Sequence, residues 1–354
     1  MSKILHLFSI KDSIYTETFF HFVEDNFDSG EHEFAVLTSD KKTKESKMEY
    51  YNPSSVKDNF RLSGKINQSR VTILHGIFFT SILTLILNMT VKKEKVVWMI
   101  WGGDLYNWKS RSENVLSRIS DCNQRMLRKK MSGVVVSFLP DENMFQREFG
   151  QKAKAFYAHY PIGYTKEQLD RNKVDKAGKT VHFLIGNSAN PCLNHIKVLE
   201  SLERFKDQDI CIHLPLNYGD HLYGDQVAGY ARKSFGSKAL CYRERMGIED
   251  YIRLLWQTDV GIFDTDRQIA LGNIIMLCYM GKKLYFRKNT PLAEYFEKMK
   301  ICPGDISILK EQSIDTVCEN FSQDTEYTLS LEYLEQEKIR SQWNSVFQMF
   351  SSVN

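Results

Sequence analysis

The sequence lacks the features that would assign it to several common classes of protein. Its net charge is only +3, short of the strong basic bias of a nucleic-acid binder, so we predict no nucleic-acid partner. Neither GxGxxG nor GxxxxGK[ST] occurs, which excludes the standard dinucleotide fingerprint and the P-loop. The seven cysteines form no CxxC pair and have no histidine partners at metal-ligand spacing. We therefore predict reduced, buried thiols in a cytosolic protein.

The chain also lacks a clear targeting or membrane-spanning segment. The first residues, MSKILHLFSIKD, contain a short apolar run interrupted by His6 and Ser9, which argues against a signal peptide and favours a first strand. Residues 71–91 (VTILHGIFFTSILTLILNMTV) have about the length of a bilayer crossing. His75 and Gly76 interrupt that run, so we favour a strand over 71–74 and a buried helix over 77–89. Only the lysine-rich stretch 41–47 is typical of disorder.

Strand-like and helical runs alternate along the chain, a pattern that indicates parallel sheets because each crossover needs a helix. At 354 residues the chain suits two domains, and a polar linker at 164–179 divides the strands into two series. We predict two doubly wound, Rossmann-like α/β domains facing a central cleft, at 1–163 and 164–325. The segment 326–354 has a long helical pattern over about 326–350, which we expect to return to the first domain. The predicted strands cover 4–8, 33–37, 71–74, 96–101, 133–137 and 154–157, then 180–185, 209–214, 238–241, 259–263 and 283–286.

The second domain opens with LIGNSANPCLNHI, where a strand ends at Gly186 and a helix follows. Asn187 and Ser188 supply turn and cap chemistry, and Pro191 suits the first helical position. A free helix N-terminus behind small residues suits an anion such as phosphate. An ordinary βα turn explains the same residues equally well.

A second candidate loop is FDTDRQIALG, which follows the strand at 259–263. Arg267 and Gln268 precede a short helix, and Gly272 in its first turn permits close approach. A guanidinium beside a helix N-terminus suits a diphosphate; the alternative is a surface ion pair with Asp264 or Asp266. No DxD pair occurs beyond DTD, and this loop already offers positive charge, so we predict that no metal or other cofactor is required.

Other candidates lie at further strand ends. Glu244, at the ligand edge of the second sheet, either accepts hydrogen bonds from a sugar or ribose or is a solvated loop acid. In the first domain His75 ends a strand, and Asp104 follows Gly102 and Gly103 in IWGGDLY. A positioned carboxylate can act as a general base, although His75 also fits a core histidine and Asp104 a helix cap. Phosphate-suited loops in one domain with a histidine and a carboxylate in the other indicate a transferase that uses a nucleotide-linked donor.

Five stretches, IWGGDLY, LIGNSANPCLNHI, PLNY, EDYIRLLWQTDVGIF and RQIALGNIIMLCYMGKKL, resemble glycosyltransferase family 56. The resemblance runs from about residue 75 to 286 and is weak over the first 70 residues. Its characterised type moves 4-acetamido-4,6-dideoxygalactose from dTDP to an undecaprenyl-diphosphate-linked disaccharide in enterobacterial common antigen synthesis. By matching position, the resemblance implies a donor site that includes Gly186, Asn187, Ser188, Arg267, Gln268 and Gly272. We add Tyr218 and Glu244 to the predicted donor-binding residues.

The resemblance further implies a GT-B-type fold and a cytoplasmic enzyme, peripheral on the inner face of the bacterial inner membrane. The apolar helix after His75 and the basic residues Arg125, Arg128, Lys129 and Lys130 are then candidates for bilayer contact. If the reaction inverts, Asp104 is the first candidate for the base and His75 the second; if it retains, they position the acceptor. An O-antigen or capsule acceptor and a UDP-linked donor are alternatives. A non-catalytic nucleotide-sugar-binding scaffold and a nucleotide-sugar epimerase are the competing functions.

Overall fold

The structure, a computed structural model, describes residues 2–9, 14–39, 47–109, 114–150, 153–161, 164–176, 178–319 and 323–351. Residues 41–46 of the lysine-rich stretch therefore lie outside the described part. The chain divides into two compact units. The first comprises Met1–Gly163 with Gln336–Asn354, and the second comprises Tyr164–Glu335.

The first unit contains a seven-stranded parallel sheet in the order β3-β2-β1-β4-β5-β6-β7. Its central strands are buried along their whole length, as expected where helices cover both faces of a parallel sheet. The strands are β1 (Ile4–Phe8), β2 (His32–Leu37), β3 (Met48–Tyr51), β4 (Val71–His75), β5 (Val96–Met99), β6 (Gly133–Val136) and β7 (Lys154–Tyr157). The helices are α1 (Ile14–Asn26), α2 (Val56–Gln68), α3 (Ser81–Thr90), α4 (Gly103–Tyr106), α5 (Val115–Lys129) and α6 (Leu139–Phe149).

The second unit contains a six-stranded parallel sheet in the order β10-β9-β8-β11-β12-β13. Its strands are β8 (Val181–Ile185), β9 (Ile210–Pro215), β10 (Ala239–Tyr242), β11 (Val260–Phe263), β12 (Lys283–Phe286) and β13 (Gly304–Asp305). Its helices are α7 (Lys166–Arg171), α8 (His195–Leu202), α9 (His221–Phe235), α10 (Ile248–Gln257), α11 (Leu271–Tyr279), α12 (Pro291–Lys298), α13 (Ile314–Cys318) and α14 (Gln323–Leu334).

The C-terminal segment forms two helices where the sequence predicts one. α14 belongs to the second unit, and α15 (Gln336–Ser351) belongs to the first. On α15, Trp343 is fully buried and its indole Nε1 donates to the carbonyl of His159 over 2.9 Å. The backbone N–H of His159 in turn donates to Gln342 Oε1. These bonds attach α15 to the end of β7.

Residues 71–91 contain β4 and α3, in agreement with the favoured strand-plus-helix interpretation. The helix begins at Ser81 and not at residue 77, and it is only partly buried, since Ile82, Leu85 and Met89 are exposed. Among the described residues, no helix combines the length and the apolar character that a membrane crossing needs. The prediction of buried thiols is wrong for most cysteines. All seven are free, but only Cys278 is buried, whereas Cys122 and Cys302 are exposed.

Candidate functional site

Each sheet reverses its strand order once, between β1 and β4 in the first unit and between β8 and β11 in the second. Ligands of doubly wound sheets bind beyond the carboxyl ends of the strands at this switch point. His75 ends β4, and the Gly186 and Arg267 loops follow β8 and β11. Asp104 lies in the short helix α4, which follows β5, and β5 pairs with β4. The sequence candidates thus lie at the strand ends that the topology singles out.

The side chain of Asp104 is enclosed by hydrogen-bond donors. Its Oδ2 accepts from the backbone N–H of Ile77 at 2.9 Å and from Trp98 Nε1 at 2.6 Å, and its Oδ1 accepts from the backbone N–H of Trp101 at 3.0 Å. The residue is 1% exposed. Burial raises the pKa of Asp104, while the bond from Trp98 and the charge of Arg128 oppose that rise. This geometry favours a structural role for the carboxylate over the predicted general base.

Arg128, on α5, also hydrogen-bonds to the segments around Asp104. Its Nη2 donates to the carbonyls of Ile77 and Asp104 at 3.0 and 3.1 Å, and its guanidinium lies over the Trp98 ring. Arg128 is 1% exposed, and burial lowers its pKa to about 10. The prediction that Arg128 is available to a bilayer is therefore wrong, because its guanidinium is used inside the unit.

His75 belongs to a buried hydrogen-bonded chain. Its Nε2 lies 3.0 Å from His6 Nδ1, and His6 Nε2 lies 2.9 Å from His32 Nδ1. On the other side, His75 Nδ1 lies 3.4 Å from the hydroxyl of Tyr160. His75 is fully buried and stacks on Phe8, and burial holds its pKa well below the ordinary value. A neutral core histidine, the alternative interpretation in the sequence, describes this environment.

What the first unit presents at these strand ends is aromatic. The ring centroid of Trp101 lies 5.7 Å from those of Tyr15 and Tyr160 and 6.4 Å from that of Phe78. Phe78 and Tyr15 are exposed, and Trp101 is partly so. The indole Nε1 of Trp101 has no hydrogen-bond partner. Sequence reasoning missed this group, because aromatic residues beside apolar runs look like core.

Asp141 is a further acid that sequence reasoning missed. It lies in the first turn of α6, where an acid normally indicates only a favourable helix start. Here the side chain is buried, and its Oδ1 accepts from the hydroxyl of Tyr106 at 2.9 Å. Burial raises the pKa of Asp141 to about 7. Asp141 is thus a second buried carboxyl in the neighbourhood of Asp104.

In the second unit, the chain turns sharply after β8. Gly186 has a φ of +61°, and a Cβ there would lie 2.7 Å from His195 Nε2 and 3.0 Å from Leu193 Cδ1. Asn190 caps the short 3-10 turn Pro191–Leu193, and α8 begins at His195. His195 is fully buried, its Nε2 has no hydrogen-bond partner, and burial lowers its pKa to about 4. Sequence reasoning missed this imidazole beneath the glycine.

The Arg267 loop meets the Gly186 loop directly. Arg267 Nη2 lies 2.8 Å from Cys192 Sγ, and Asn194 Nδ2 donates to the carbonyl of Asp264 at 2.9 Å. Arg267 is 8% exposed, so its side chain is buried and does not lie on the surface. The carboxylate of Asp264 pairs with Arg287 at 2.6 Å. The structure therefore brings a guanidinium to the junction of two strand-end loops.

Helix α11 begins beside this guanidinium. Its N-cap Ala270 has a φ of +63° and no capping side chain, so the first backbone N–H groups of the helix lack the usual side-chain acceptor. Gln268 and Gly272 flank that start and are partly exposed. A guanidinium and a helix N-terminus together suit a diphosphate.

Two other predicted donor residues differ in their placement. Tyr218 follows β9, and its hydroxyl accepts from Asn187 Nδ2 at 2.7 Å, which joins it to the Gly186 loop. Ser188 is buried in that loop, within 3.4 Å of Asn187 Oδ1. Glu244 is exposed after the edge strand β10, two strands away from β8. The solvated loop acid describes Glu244 better than a ligand-contacting group.

One group of described side chains has the residue types and the spacing that could hold a metal ion, although the sequence predicted no cysteine with histidine partners at metal-ligand spacing. Ligand atoms of His182, Cys211 and His213 lie within 4.8 Å of one another. His182 Nδ1 is 2.9 Å from His213 Nε2, and His213 Nδ1 is 2.8 Å from the hydroxyl of Tyr242. His182 and Cys211 are the second residues of β8 and β9. The group is therefore remote from the carboxyl ends of these strands and separate from the candidate donor site.

Comparison with known proteins agrees with the family indicated by the sequence. A family model described as "4-alpha-L-fucosyltransferase glycosyl transferase group 56" matches residues 1–322. Three solved structures, each 8–13% identical, are similar over nearly the whole of both chains. They are HepE of Anabaena in complex with UDP and glucose (9% identity, TM-score 0.65, 99% of this chain and 100% of that chain), an α,α-trehalose 6-phosphate synthase of Burkholderia multivorans (8%, 0.66, 100% and 97%) and a glycosyltransferase of Rickettsia africae (13%, 0.64, 100% and 99%). At such identity the likeness concerns the fold alone, and with the two parallel sheets it confirms the predicted GT-B-type fold class.

Proposed function

The chain belongs to glycosyltransferase family 56, and we propose that it transfers a deoxy-amino sugar from a dTDP donor to a lipid-linked glycan. The first candidate sugar is 4-acetamido-4,6-dideoxygalactose. The proposed acceptor is an undecaprenyl-diphosphate-linked glycan of bacterial surface polysaccharide synthesis, at the cytoplasmic face of the inner membrane.

The contact between the Arg267 and Gly186 loops is the observation that supports the donor site most directly. Arg267 Nη2 touches Cys192 of the neighbouring loop, beside the uncapped start of α11. We propose that the donor diphosphate lies against this guanidinium and this helix N-terminus. As the glycosidic bond to the nucleotide breaks, negative charge grows on the diphosphate, and preorganised positive groups stabilise it. We propose that this charge substitutes for a divalent metal.

The family description supports the proposed sugar class. It names a fucosyl transferase, and fucose is 6-deoxygalactose. The proposed 4-acetamido-4,6-dideoxygalactose has the same 6-deoxygalactose skeleton with an acetamido group at C4. HepE, whose structure contains UDP, makes UDP the competing nucleotide to test.

We propose that Asp104 and His75 position the strand-end segments that carry Phe78 and Trp101, which we call the acceptor corner. The carboxylate of Asp104 fixes the backbone of Ile77 and Trp101 through two hydrogen bonds, and so sets the direction of the exposed Phe78 ring and the partly exposed Trp101 ring. Aromatic faces suit a sugar or a prenyl chain, both of which have extended apolar surfaces. On this geometry Trp101 and Phe78 are the acceptor-side residues.

Calorimetry with dTDP, UDP and GDP, with and without magnesium, tests the donor site. We expect dTDP to bind most tightly and independently of magnesium. Arg267→Ala should weaken dTDP binding about 30-fold, which corresponds to about 2 kcal/mol for charged hydrogen bonds. Arg232→Ala removes an exposed arginine of α9 and should change nothing.

Strict dependence on magnesium, or unchanged affinity in Arg267→Ala, would overturn the diphosphate clamp. Absence of binding for all three nucleotides would overturn the transferase proposal, whereas nucleotide binding without any transfer to an acceptor would indicate the nucleotide-sugar-binding scaffold. Incubation of the dTDP-sugar with and without a polyprenyl-linked acceptor then separates the remaining functions. We expect dTDP release only with the acceptor, whereas epimerised donor without any acceptor would indicate the epimerase.

A further inference from the structure

Two adjacent strands of the second unit bring two imidazoles and a thiol together on one face of their sheet. His182 of β8 lies directly beside Cys211 of β9 in the strand register, and His213 follows Cys211 by two residues. Because side chains alternate across a strand, Cys211 and His213 point to the same side. Ligand atoms of the three residues lie within 4.8 Å of one another. We call His182, Cys211 and His213 the imidazole-thiol cluster.

The imidazole-thiol cluster lies on the side of the sheet that faces away from one hydrophobic core. The intervening residues of the two strands, Phe183 and Ile212, belong to that core. His213 is 3% exposed, whereas His182 and Cys211 are only partly buried. Such polar groups are unusual in parallel strands, which are normally apolar on both faces. The two partly exposed members also give an ion a route from solvent.

From this arrangement we infer that the imidazole-thiol cluster binds a zinc ion. Zinc takes thiolate and imidazole ligands together, whereas Mg²⁺ and Ca²⁺ prefer oxygen ligands. The protein ligands are His182 Nδ1, His213 Nε2 and Cys211 Sγ. A water molecule from the partly exposed side completes the four-coordinate shell that zinc prefers.

The distances suit a tetrahedral site after a small rotation of the two rings. Two nitrogens bound to one tetrahedral zinc ion lie about 3.3 Å apart, and a nitrogen and a sulfur lie about 3.6 Å apart. His182 Nδ1 and His213 Nε2 are 2.9 Å apart, and their ring planes are within 11° of each other. The two nitrogens therefore face one another and need to separate by about 0.4 Å. Side-chain torsions allow this change without movement of either strand.

A hydrogen bond on the far side of His213 supports its role as a ligand. His213 Nδ1 lies 2.8 Å from the hydroxyl of Tyr242. When Nδ1 carries the proton and donates it to that oxygen, the lone pair of Nε2 is available to a metal. Ligating histidines commonly donate their other N–H in this way, which fixes the tautomer and the direction of the ring.

The protons balance on zinc binding. In the metal-free protein with this tautomer of His213, His182 Nδ1 donates its proton to the lone pair of His213 Nε2. On binding, that proton transfers through solvent to His182 Nε2, and Cys211 gives its thiol proton to solvent. Two nitrogen-zinc bonds and one sulfur-zinc bond form, and one proton is released for each ion bound.

The imidazole-thiol cluster is separate from the candidate donor site. His182 precedes Gly186 by four residues, which corresponds to about 13 Å along an extended strand. Zinc binding therefore does not depend on the proposed function, and the ion has no part in the transfer reaction. Its effect is to link β8 to β9, which stabilises the folded second unit because the site forms only in the folded chain.

Titration of the untagged full chain with zinc chloride tests the inference, after treatment with a chelator and in the presence of a phosphine reductant. Calorimetry should show one ion bound per chain. At a hundredfold excess of zinc over Kd, the Tm should rise by about 5 to 10 °C. Cobalt chloride in place of zinc should give a thiolate charge-transfer band in the near ultraviolet and the visible bands of a tetrahedral ion.

Substitutions within the cluster should weaken zinc binding in a defined order. Tyr242→Phe removes only the hydrogen bond to His213 and should cost about tenfold in affinity. Cys211→Ala and His182→Gln each remove a ligand and should cost at least about 100-fold. Cys211→Ala should also abolish the charge-transfer band of the cobalt protein. All three positions are only partly buried, so circular dichroism should show that the variants are folded.

Matched controls change the same residue types outside the cluster. Cys241→Ala replaces a partly buried cysteine of β10 that packs on the core side of the sheet, and His221→Gln replaces an exposed histidine. Both should bind zinc as wild type does. The dTDP affinity of wild type and of Cys211→Ala should be equal, with or without a chelator. Loss of zinc binding and failure of the proposed donor site are therefore separate results.

Three results would overturn the inference. The first is a wild-type chain that binds no zinc, which would leave the cluster as a hydrogen-bonded pair of imidazoles beside a thiol. The second is a cobalt spectrum without the thiolate band. The third is equal zinc affinity in Cys211→Ala and Cys241→Ala, which would place the ion elsewhere on the chain.

Discussion

The strand-end loops at the two switch points begin alike and use their polar side chains differently. Each central strand, β4 or β8, is followed by a glycine of positive φ, Gly76 or Gly186. In the first unit, the nearby carboxylate of Asp104 accepts three hydrogen bonds from donors of its own unit. In the second, the guanidinium of Arg267 sits where two loops meet the uncapped start of α11. A buried carboxylate that accepts from three donors of its own unit is thus a poor candidate for a base, whereas a guanidinium beside a helix start suits an anion.

Replacing Asp104 should give the largest effect on stability. Asp104→Ala leaves three donors without an acceptor and Arg128 without its nearby opposite charge, and breaking such a buried arrangement costs about 3 to 5 kcal/mol. Urea unfolding followed by tryptophan fluorescence measures the loss. Because the second unit does not contain these residues, dTDP binding under folding conditions should persist.

Asp25→Ala, at an exposed position of α1, is the control and should change the free energy of unfolding by no more than about 0.5 kcal/mol. An Asp104→Ala variant that is as stable as wild type but has lost transferase activity would contradict the structural role of this carboxylate. That result would return Asp104 to the role of general base.

Replacement of the two glycines by alanine should have different effects on dTDP binding. Gly186→Ala combines a left-handed backbone with a Cβ 2.7 Å from the buried His195 Nε2, so we expect a cost of about 2 kcal/mol and weaker dTDP binding. Gly76→Ala is strained as well, since φ is +74° and a Cβ there would lie 2.9 Å from Phe78 and 3.2 Å from Trp101, but these contacts are all in the first unit. Calorimetry should show unchanged dTDP binding for Gly76→Ala, and equal weakening in both variants would mean that the Gly186 loop has no special relation to the donor.

The sequence predicted the alternating topology well because parallel strands are buried on both faces and stand out as apolar runs. It missed β3, where only Tyr51 is buried, and the two-residue β13. It also missed the break between α14 and α15 at Glu335, where no glycine or proline signals a helix end. At the site, the sequence indicated Asp104 as a candidate, but it did not indicate that donors of the same unit already hydrogen-bond to its carboxylate. Two of its three donors are backbone N–H groups, and the one of Ile77 lies 27 residues away.

Acidification should destabilise the first unit through its buried histidines. Burial lowers the pKa of His32 to about 4 and holds those of His6 and His75 well below the ordinary value. Above about pH 6.5 both folded and unfolded chains are neutral at these groups, whereas at lower pH only the unfolded chain takes up protons. The free energy of unfolding therefore falls as pH drops from 6.5 towards 4, by about 1.4 kcal/mol per pH unit for each histidine.

His32→Gln should remove about 2 kcal/mol of the difference in unfolding free energy between pH 6.5 and pH 5. His21→Gln, at an exposed position of α1, serves as the control and should keep the wild-type pH dependence. Identical slopes for all three proteins in urea unfolding at the two pH values would mean that His32 is accessible to protons in the folded state.

The smallest expected effect tests whether the contact between the two second-unit loops positions the guanidinium. Cys192 Sγ lies 2.8 Å from Arg267 Nη2 and 2.7 Å from Asn190 Oδ1, so Cys192→Ala removes one weak acceptor and leaves the charge of Arg267 in place. We expect dTDP binding to weaken only about threefold, because a thiol is a weak acceptor and its loss leaves the charge of Arg267 unchanged. Cys192→Ser should recover most of the affinity, and Cys122→Ala, at an exposed cysteine of the first unit, should match wild type. If Cys192→Ala binds dTDP as wild type does while Arg267→Ala does not, the helix and the loop backbone hold the guanidinium without the thiol. In that case main-chain geometry would position the guanidinium of Arg267 in the second unit, much as backbone donors fix the carboxylate of Asp104 in the first.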